Sequence, residues 1–161
     1  MTEPFISIRN MTKTFGPASD PVYAVNDVSF DIPKGSITGL VGESGSGKST
    51  LGRSLLRLIE PTSGSTVFDG CDLNSLKAGD LRAMRQRMQM VFQDPVSSLN
   101  PRKKIRTILE APLIHLLKMN KAERAKRLEE LMDAVNLAPE FLERYPHEFS
   151  GGQAQRIGIA R

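Results

Sequence analysis

Tryptophan is absent from this sequence of 161 residues, and there are only two tyrosines and one cysteine. The single cysteine, Cys71, excludes an internal disulfide bond, which is typical of proteins in a reducing compartment. The N-terminus has no basic segment followed by an apolar one, so no signal peptide is predicted. No apolar run reaches the ~18 residues of a membrane-spanning helix. The most apolar stretch, residues 105–117, is interrupted by Arg106, Glu110, Pro112 and His115.

The charge balance is mildly basic, with a formal net charge of +4. The cations are spread over residues 82–106 and 118–127, which favours solvated helix faces over one nucleic-acid patch. Nucleotide phosphates and an anionic membrane surface are further partners that suit this charge. With 39% hydrophobic residues, the chain can bury a core, and its length indicates one domain or the greater part of a larger one.

A glycine-rich stretch at residues 42–50 organises the chain, because it matches the phosphate-loop pattern G-x-x-x-x-G-K-[ST] without a mismatch. It follows residues 37–41, whose apolar character predicts a buried strand. After it, Leu51, Leu55, Leu58 and Ile59 share one face of a predicted helix. Strand, loop and helix in this order predict a phosphate site. Its predicted residues are Gly42, Glu43, Ser44, Gly45, Ser46, Gly47, Lys48, Ser49 and Thr50.

The chemistry of this site follows from its residue types. Glycines let the backbone approach a ligand closely, and the loop amides then form an anion-binding nest at a helix N-terminus. Lys48 is expected to reach the β- and γ-phosphates as a point charge. The hydroxyl of Ser49 is expected to ligate Mg²⁺. These residues predict binding of a nucleoside triphosphate with Mg²⁺.

The rest of the chain predicts β-structure first and helices later. Strands are predicted near residues 5–8, 28–32 and 65–68, and a strand-like run at residues 88–92 ends in Gln93. Asp80 is a candidate N-cap for a helix over residues 81–87. From about residue 105 the pattern is helical, and Asn120 with Glu123 predicts a capping box. The expected fold is α/β, with a nucleotide-binding lobe at residues 1–95, a helical subdomain at 96–150, and a returning helix at 151–161.

A second glycine-containing motif lies at the start of the last predicted helix. It consists of Ser150, Gly151, Gly152 and Gln153. A helix N-terminus of this kind suits an anion by the same physics as the phosphate loop. The alternative is an ordinary N-cap followed by flexible glycines. Asp94, after the strand-like run, has the position of a second carboxylate motif near Mg²⁺.

The order and spacing of the phosphate loop, Gln93 and residues 150–153 resemble the ATP-binding cassette family. The resemblance covers the whole chain and implies a RecA-like phosphate-loop lobe, an N-terminal antiparallel β subdomain and an α-helical subdomain. It implies ATP and Mg²⁺ as ligands. It also implies that Gln93 contacts Mg²⁺ or the attacking water, which leaves Asp94 as a neighbour. Residues 150–153 would be the signature motif, which covers the γ-phosphate held by the other protomer of a head-to-tail dimer.

The same family stacks an aromatic side chain on adenine in a Lys-x-aromatic-Gly setting, and Lys13, Thr14, Phe15 and Gly16 match that setting. Phe15 is therefore the predicted adenine contact, with Tyr23 as the second candidate. The alternative is that Phe15 is an ordinary core residue.

Residues 93–102, Gln-Asp-Pro-Val-Ser-Ser-Leu-Asn-Pro-Arg, are similar to the importer branch for di- and oligopeptides, which has nickel and glutathione relatives. This implies membrane-spanning permease subunits, a second ATP-binding subunit in a homo- or heterodimer and, indirectly, an extracytoplasmic solute-binding protein as partners, and no nucleic acid. It implies a peripheral location on the cytoplasmic face of the plasma (inner) membrane.

Two alternatives stay open from the residues: a non-transport cassette that acts on ribosomes or DNA, and a phosphate-loop kinase or GTPase. A kinase or GTPase would not need the motif at Ser150 that opens the last helix, and no Asn-Lys-x-Asp guanine motif is present. In the family, a strand after the signature carries an Mg²⁺-binding aspartate and a glutamate that polarises water. Because eight residues follow Gln153, the fold is expected to be incomplete at the C-terminus. The 161 residues are expected to bind ATP and to hydrolyse it poorly.

Overall fold

The computed structural model describes residues 4–92, 94 and 98–161. It forms two compact units, Met1–Arg85 and Gln86–Arg161. The boundary expected between residues 95 and 96 separates the nucleotide-binding lobe from the helical subdomain. This division into functional lobes stays a prediction.

The first unit is built on an antiparallel sheet. Strand β1, Ile6–Phe15, pairs with β2, Val22–Ile32, on one side and with β3, Ser63–Phe68, on the other. The short strand β4, Cys71–Asp72, completes the order β2-β1-β3-β4. The predicted N-terminal antiparallel β-structure is therefore confirmed, although β1 and β2 are longer than the sequence pattern indicated.

The β1–β2 pair contains an irregularity that the alternation of apolar residues did not reveal. Asn10 and Asp27 both have a φ of 50°, and the pairing register shifts between Ile8 and Met11. Asn10 donates a side-chain hydrogen bond of 2.8 Å to Asp27, and the backbone N–H groups of Asn10 and Asp27 donate to Ser29 and Thr12. Side chains thus replace the ladder hydrogen bonds that the bulge interrupts.

Helix α1, Lys48–Leu55, packs on this sheet. Leu51 is buried with Ile8, Met11 and Val25, so one face of α1 forms the core of the unit. The predicted helical face extended to Leu58 and Ile59, but the helix ends at Leu55 and the Leu58 side chain is 41% exposed.

The second helix of the unit begins earlier than predicted. Helix α2 spans Ala78–Met84, its N-cap is Lys77, and Asp80 lies in its first turn. The prediction of Asp80 as the N-cap is therefore wrong. A carboxylate in the first turn is favoured by the helix dipole without being a cap. Asp80 therefore marks the beginning of this helix, but from within its first turn.

Neither the buried strand predicted at residues 37–41 nor the strand-like run at residues 88–92 forms a strand in the structure. Ile37 and Val41 are fully exposed, and Val91 is 56% exposed. An apolar run becomes a strand only where a neighbouring strand satisfies its backbone N–H and C=O groups. None of the strands in residues 4–92, 94 and 98–161 pairs with either run.

The second unit is helical. Its helices are α3, Ile105–His115, α4, Lys121–Ala134, and α5, Gly151–Ala160. Two 3₁₀ turns, Pro139–Glu143 and Pro146–Glu148, lie between α4 and α5. All three helices contribute to one core, which consists of Leu99, Ile105, Ile108, Leu109, Leu113, Leu128, Met132, Leu137, Leu142, Ala154 and Ile157. The predicted capping box of α4 is present, because Asn120 and Glu123 exchange hydrogen bonds of 3.0 and 2.7 Å.

Candidate functional site

The phosphate-loop residues lie at the N-terminus of α1. Gly47 is the N-cap residue with a φ of 73°, and none of the described side chains caps the helix. The first helical hydrogen bond runs from the N–H of Leu51 to the carbonyl of Gly47. The amides before Leu51 are therefore the donors that a helix N-terminus offers to an anion.

Gly47 is required by the packing of the first unit. A Cβ atom at this position would lie 1.8 Å from the carbonyl oxygen of Ala24 in β2. Its positive φ is also unfavourable for any residue with a side chain. The end of the phosphate loop is consequently in direct contact with the second strand of the sheet.

Lys48 bends back over the loop that precedes it. Its Nζ atom donates hydrogen bonds of 2.8 Å to the carbonyl oxygens of Gly42 and Glu43. A lysine ammonium has three N–H donors, so these two bonds fix its position and leave one donor for a ligand. The geometry holds a positive charge above the loop amides, which is the arrangement that an anionic ligand needs.

The other loop residues are at the surface. The N–H of Ser46 donates to the carbonyl of Glu43 at 3.2 Å, which makes a tight turn that includes Ser44 and Gly45. Ser49 is exposed, and no hydrogen bond of its hydroxyl occurs in the described part of the chain. That hydroxyl is the oxygen ligand that suits Mg²⁺ beside bound phosphates. Among the described residues, no group of three His, Cys, Asp or Glu side chains could hold a metal ion by itself.

The two candidate aromatic residues lie at the loop end of the β1–β2 hairpin, next to the connection at residues 16–21. Phe15 is 45% exposed and pairs with Val22, and Tyr23, which is 59% exposed, pairs with Thr14. The alternative interpretation of Phe15 as a core residue is therefore wrong. Both rings are available to a ligand that approaches this end of the sheet.

Sequence reasoning did not give a role to Lys13, and the structure connects it to Phe15. The Nζ atom of Lys13 lies 5.0 Å from the centroid of the Phe15 ring. The spacing of two residues along a strand could have indicated this contact, because such residues share a face.

Residues 150–153 form the N-terminus of α5 in the second unit. Ser150 is the N-cap; its Oγ accepts from the N–H of Gln153 at 3.4 Å, and its own N–H donates to the Gln153 side chain at 3.0 Å. Gly151 and Gly152 are exposed, and a Cβ atom at either would meet nothing within 4 Å. The described residues therefore do not require glycine here, in contrast to Gly47.

Gln93, the predicted contact of Mg²⁺ or the attacking water, lies outside the described residues. Its neighbour Asp94 is exposed. None of the helices in residues 4–92, 94 and 98–161 combines the length and the apolar character that crossing a membrane requires.

Known proteins with similar sequences are transport ATP-binding proteins. The oligopeptide transport ATP-binding protein OppF of Bacillus subtilis is 50% identical over 163 residues, which is 100% of this chain and 53% of that protein. OppF of Streptococcus mutans is 47% identical over 158 residues, 97% of this chain and 51% of that protein. The chain therefore spans about half the length of the curated relatives it matches.

Solved structures with a similar fold are nucleotide-binding cassettes. A dimeric ATP-binding cassette in a post-hydrolysis state, bound to ADP and Pi, has a TM-score of 0.83 and 33% identity, and the match covers 96% of this chain and 67% of that one. A dimeric bacterial ABC transporter cassette has a TM-score of 0.82 and 34% identity. The family model described as ABC transporter matches residues 25–161. The matched region contains the phosphate loop and the capped α5 helix, and the chain belongs to the ABC transporter family.

Proposed function

We propose that this chain is the nucleotide-binding part of an ATP-binding subunit that drives the import of peptides or a related solute. The observation that carries the proposal is the pair of hydrogen bonds that holds the Lys48 ammonium over the loop at the N-terminus of α1. The oligopeptide transport names of the relatives support the solute class. Nickel and glutathione, the solutes of relatives in the same importer branch, are the related solutes included in this proposal.

Each residue of the loop has a separate task in this proposal. The amides at the start of α1 hydrogen-bond the phosphate oxygens, and Lys48 directs its remaining N–H to the β- and γ-phosphates. Mg²⁺, when bound, neutralises charge on the phosphates during phosphoryl transfer. Ser49 supplies a hydroxyl to that ion, and Gln93 is proposed to contact the ion or the attacking water.

Phe15 is proposed to stack on the adenine ring. Support comes from its exposure at the end of β1 and from the packing of β2 on Gly47, which brings the hairpin beside the phosphate loop. Tyr23 is the second candidate for the same contact.

Residues 150–153 are proposed to act on nucleotide held by another protomer. The open space around Gly151 and Gly152 supports this. No described residue needs the room that the missing side chains leave, so that room is available to a ligand held by another protomer. The dimeric form of two structural relatives also supports it. The second ATP-binding subunit would be a copy of this protein or a homologue.

The remaining partners follow from the family. We propose that permease subunits hold the protein at the cytoplasmic face of the plasma membrane, and that a solute-binding protein outside delivers the solute to them. Nucleic acid is not a proposed partner.

Nucleotide binding is tested by changing Lys48→Ala. ATP with Mg²⁺ at about a thousand times its Kd stabilises a protein by roughly 4 kcal/mol, so it should raise the melting temperature of the wild type. Lys48→Ala should abolish this rise, because the side-chain cation that hydrogen-bonds the loop carbonyls is lost. The measurement is thermal unfolding with and without Mg-ATP.

The matched control is Lys126→Ala, which removes an exposed lysine from α4 in the second unit. Its nucleotide response should equal that of the wild type. A response of Lys48→Ala equal to that of the control would reject the phosphate-loop assignment.

The import role is tested in cells that lack the gene. The expected result is loss of labelled tripeptide uptake, restored by the wild-type gene and not by the Lys48→Ala gene. Tagged protein should co-purify with a membrane permease. Co-purification with ribosomes and unchanged peptide uptake would contradict transport while leaving nucleotide binding intact.

A further inference from the structure

The contact between Lys13 and Phe15 extends the proposed nucleotide site, and the inference drawn from it rests on the proposed function. The Lys13 Nζ atom is 5.0 Å from the centre of the Phe15 ring, within the ~6 Å range of a cation–π interaction. No described carboxylate forms an ion pair with Lys13. The ammonium is thus positioned by the ring itself.

The pair lies close to the phosphate loop through a continuous series of contacts. Gly47 packs against the carbonyl of Ala24, and the next residue in β2, Val25, is the cross-strand partner of Lys13. Adjacent strands are about 4.8 Å apart. Lys13 therefore lies one strand away from the strand that the loop contacts, and Phe15 follows it two residues later at the end of β1.

We infer that Lys13 is a further binding residue of this site, which strengthens the stacking of the nucleotide base on Phe15. A cation over one face of an aromatic ring occupies that face and leaves the other for a flat ligand. It draws π-electron density toward itself, which reduces the repulsion between the opposite face and the π-system of a stacked base. It also limits the rotamers of an exposed side chain, so less ordering is needed when the base binds.

The test compares ATP with inorganic tripolyphosphate, which carries the same phosphates without a base. Lys13→Met keeps an apolar stem and removes the charge. It should weaken Mg-ATP binding about two- to fivefold, as expected for an exposed cation–π pair, and leave Mg-tripolyphosphate binding unchanged. Lys13→Arg should restore ATP affinity, because a guanidinium makes the same contact with the ring.

A double-mutant cycle separates this role from a general one. In a Phe15→Leu background, Lys13→Met should cause no further loss of ATP affinity, since no aromatic ring remains for the ammonium to act on. The melting temperatures of all variants without ligand give the structural baseline. Binding is measured by isothermal titration calorimetry on the purified protein.

Three results would overturn the inference. Equal weakening of ATP and tripolyphosphate would mean that Lys13 acts on phosphates by its charge. Unchanged ATP affinity would mean that the contact has no role in binding, and tighter binding in Lys13→Met would mean that the ammonium competes with the base. Failure of the proposed function would give a different result. Wild-type protein would then bind neither Mg-ATP nor Mg-tripolyphosphate, or Lys48→Ala would bind both.

Discussion

Two neighbouring residues of the phosphate loop, Gly47 and Lys48, are constrained in different ways. Gly47 is required by the fold, because the carbonyl of Ala24 occupies the space of its side chain. Lys48 is proposed to serve the ligand, because its two hydrogen bonds are to exposed loop carbonyls that water could satisfy equally well. The two neighbours therefore respond differently to substitution, one through stability and the other through binding.

Gly47→Ala is expected to destabilise the protein by about 2–4 kcal/mol, because a methyl group would overlap the Ala24 carbonyl and an unfavourable φ of 73° would be imposed on alanine. The measurement is the midpoint of urea unfolding without nucleotide. The control is Gly52→Ala inside α1, where a Cβ atom meets nothing within 4 Å. Alanine there should stabilise the helix by up to about 1 kcal/mol. Equal midpoints for the two variants would contradict the packing argument.

At the scale of elements, the start of α3 is attached to the 3₁₀ turn at Pro139–Glu143 by charge and by backbone. Glu143 accepts hydrogen bonds from Lys104 at 3.0 Å and from Arg106 at 2.7 Å, and the N–H of Ile105 donates to the carbonyl of Arg144 at 2.9 Å. Hydrogen bonds from Arg106 and then from Lys104 hold the pKa of the Glu143 carboxyl below its ordinary value of 4.5. Because all three charged groups are exposed, solvent screening keeps the stabilisation small.

The sign of the pH dependence follows from this lowered pKa. The ionised Glu143 stabilises the folded state above the ordinary carboxyl pKa of 4.5, and the stabilisation is lost as the pH falls through the lower folded value. Glu143→Gln should therefore lower the melting temperature slightly at about pH 7. The difference from the wild type should vanish in acid below the folded pKa.

The control for this experiment is Glu140→Gln in the same turn, whose carboxylate forms no ion pair among the described residues. Its melting temperature should follow the wild type at both pH values. A pH-independent deficit in Glu143→Gln would show that the side chain acts by packing and not by charge.

At the scale of the whole molecule, the two glycine-containing helix starts are proposed to serve different nucleotides. The phosphate loop would bind a nucleotide in its own chain, and residues 150–153 would cover the nucleotide of a second protomer. Gly151→Asp tests this division. It adds a carboxylate where a γ-phosphate would lie, so like-charge repulsion should prevent closure of the dimer. Folding should be unaffected, because the site is open and an acidic residue suits the first turn of α5.

The expected result is loss of ATP-dependent dimerisation in sedimentation velocity experiments, with unchanged nucleotide affinity of the monomer. Gly79→Asp in the first turn of α2, at a similarly open position, is the control and should dimerise as the wild type does. Reduced affinity of the Gly151→Asp monomer would place this glycine at the nucleotide of its own chain.

Local features of this protein were determined by the sequence by itself, because each depends on a few neighbouring residues. The capping box at Asn120 appears where the residue types and their spacing of three predicted it, and the last helix opens at Ser150 as predicted. The phosphate-loop residues likewise lead into a helix, which begins at Lys48 within the loop pattern. Side-chain and backbone groups within one turn form these features, so neighbouring residues are enough to predict them.

Only the tertiary structure decided the features that need partners from distant parts of the chain. The apolar runs at residues 37–41 and 88–92 have the composition of strands, but a strand forms only beside another, and composition does not specify that neighbour. The bulge at Asn10 and Asp27 joins two strands across 17 residues. The obligatory glycine at position 47 arises from Ala24 in β2. In each case the deciding group is remote in sequence, and folding alone brings it into contact.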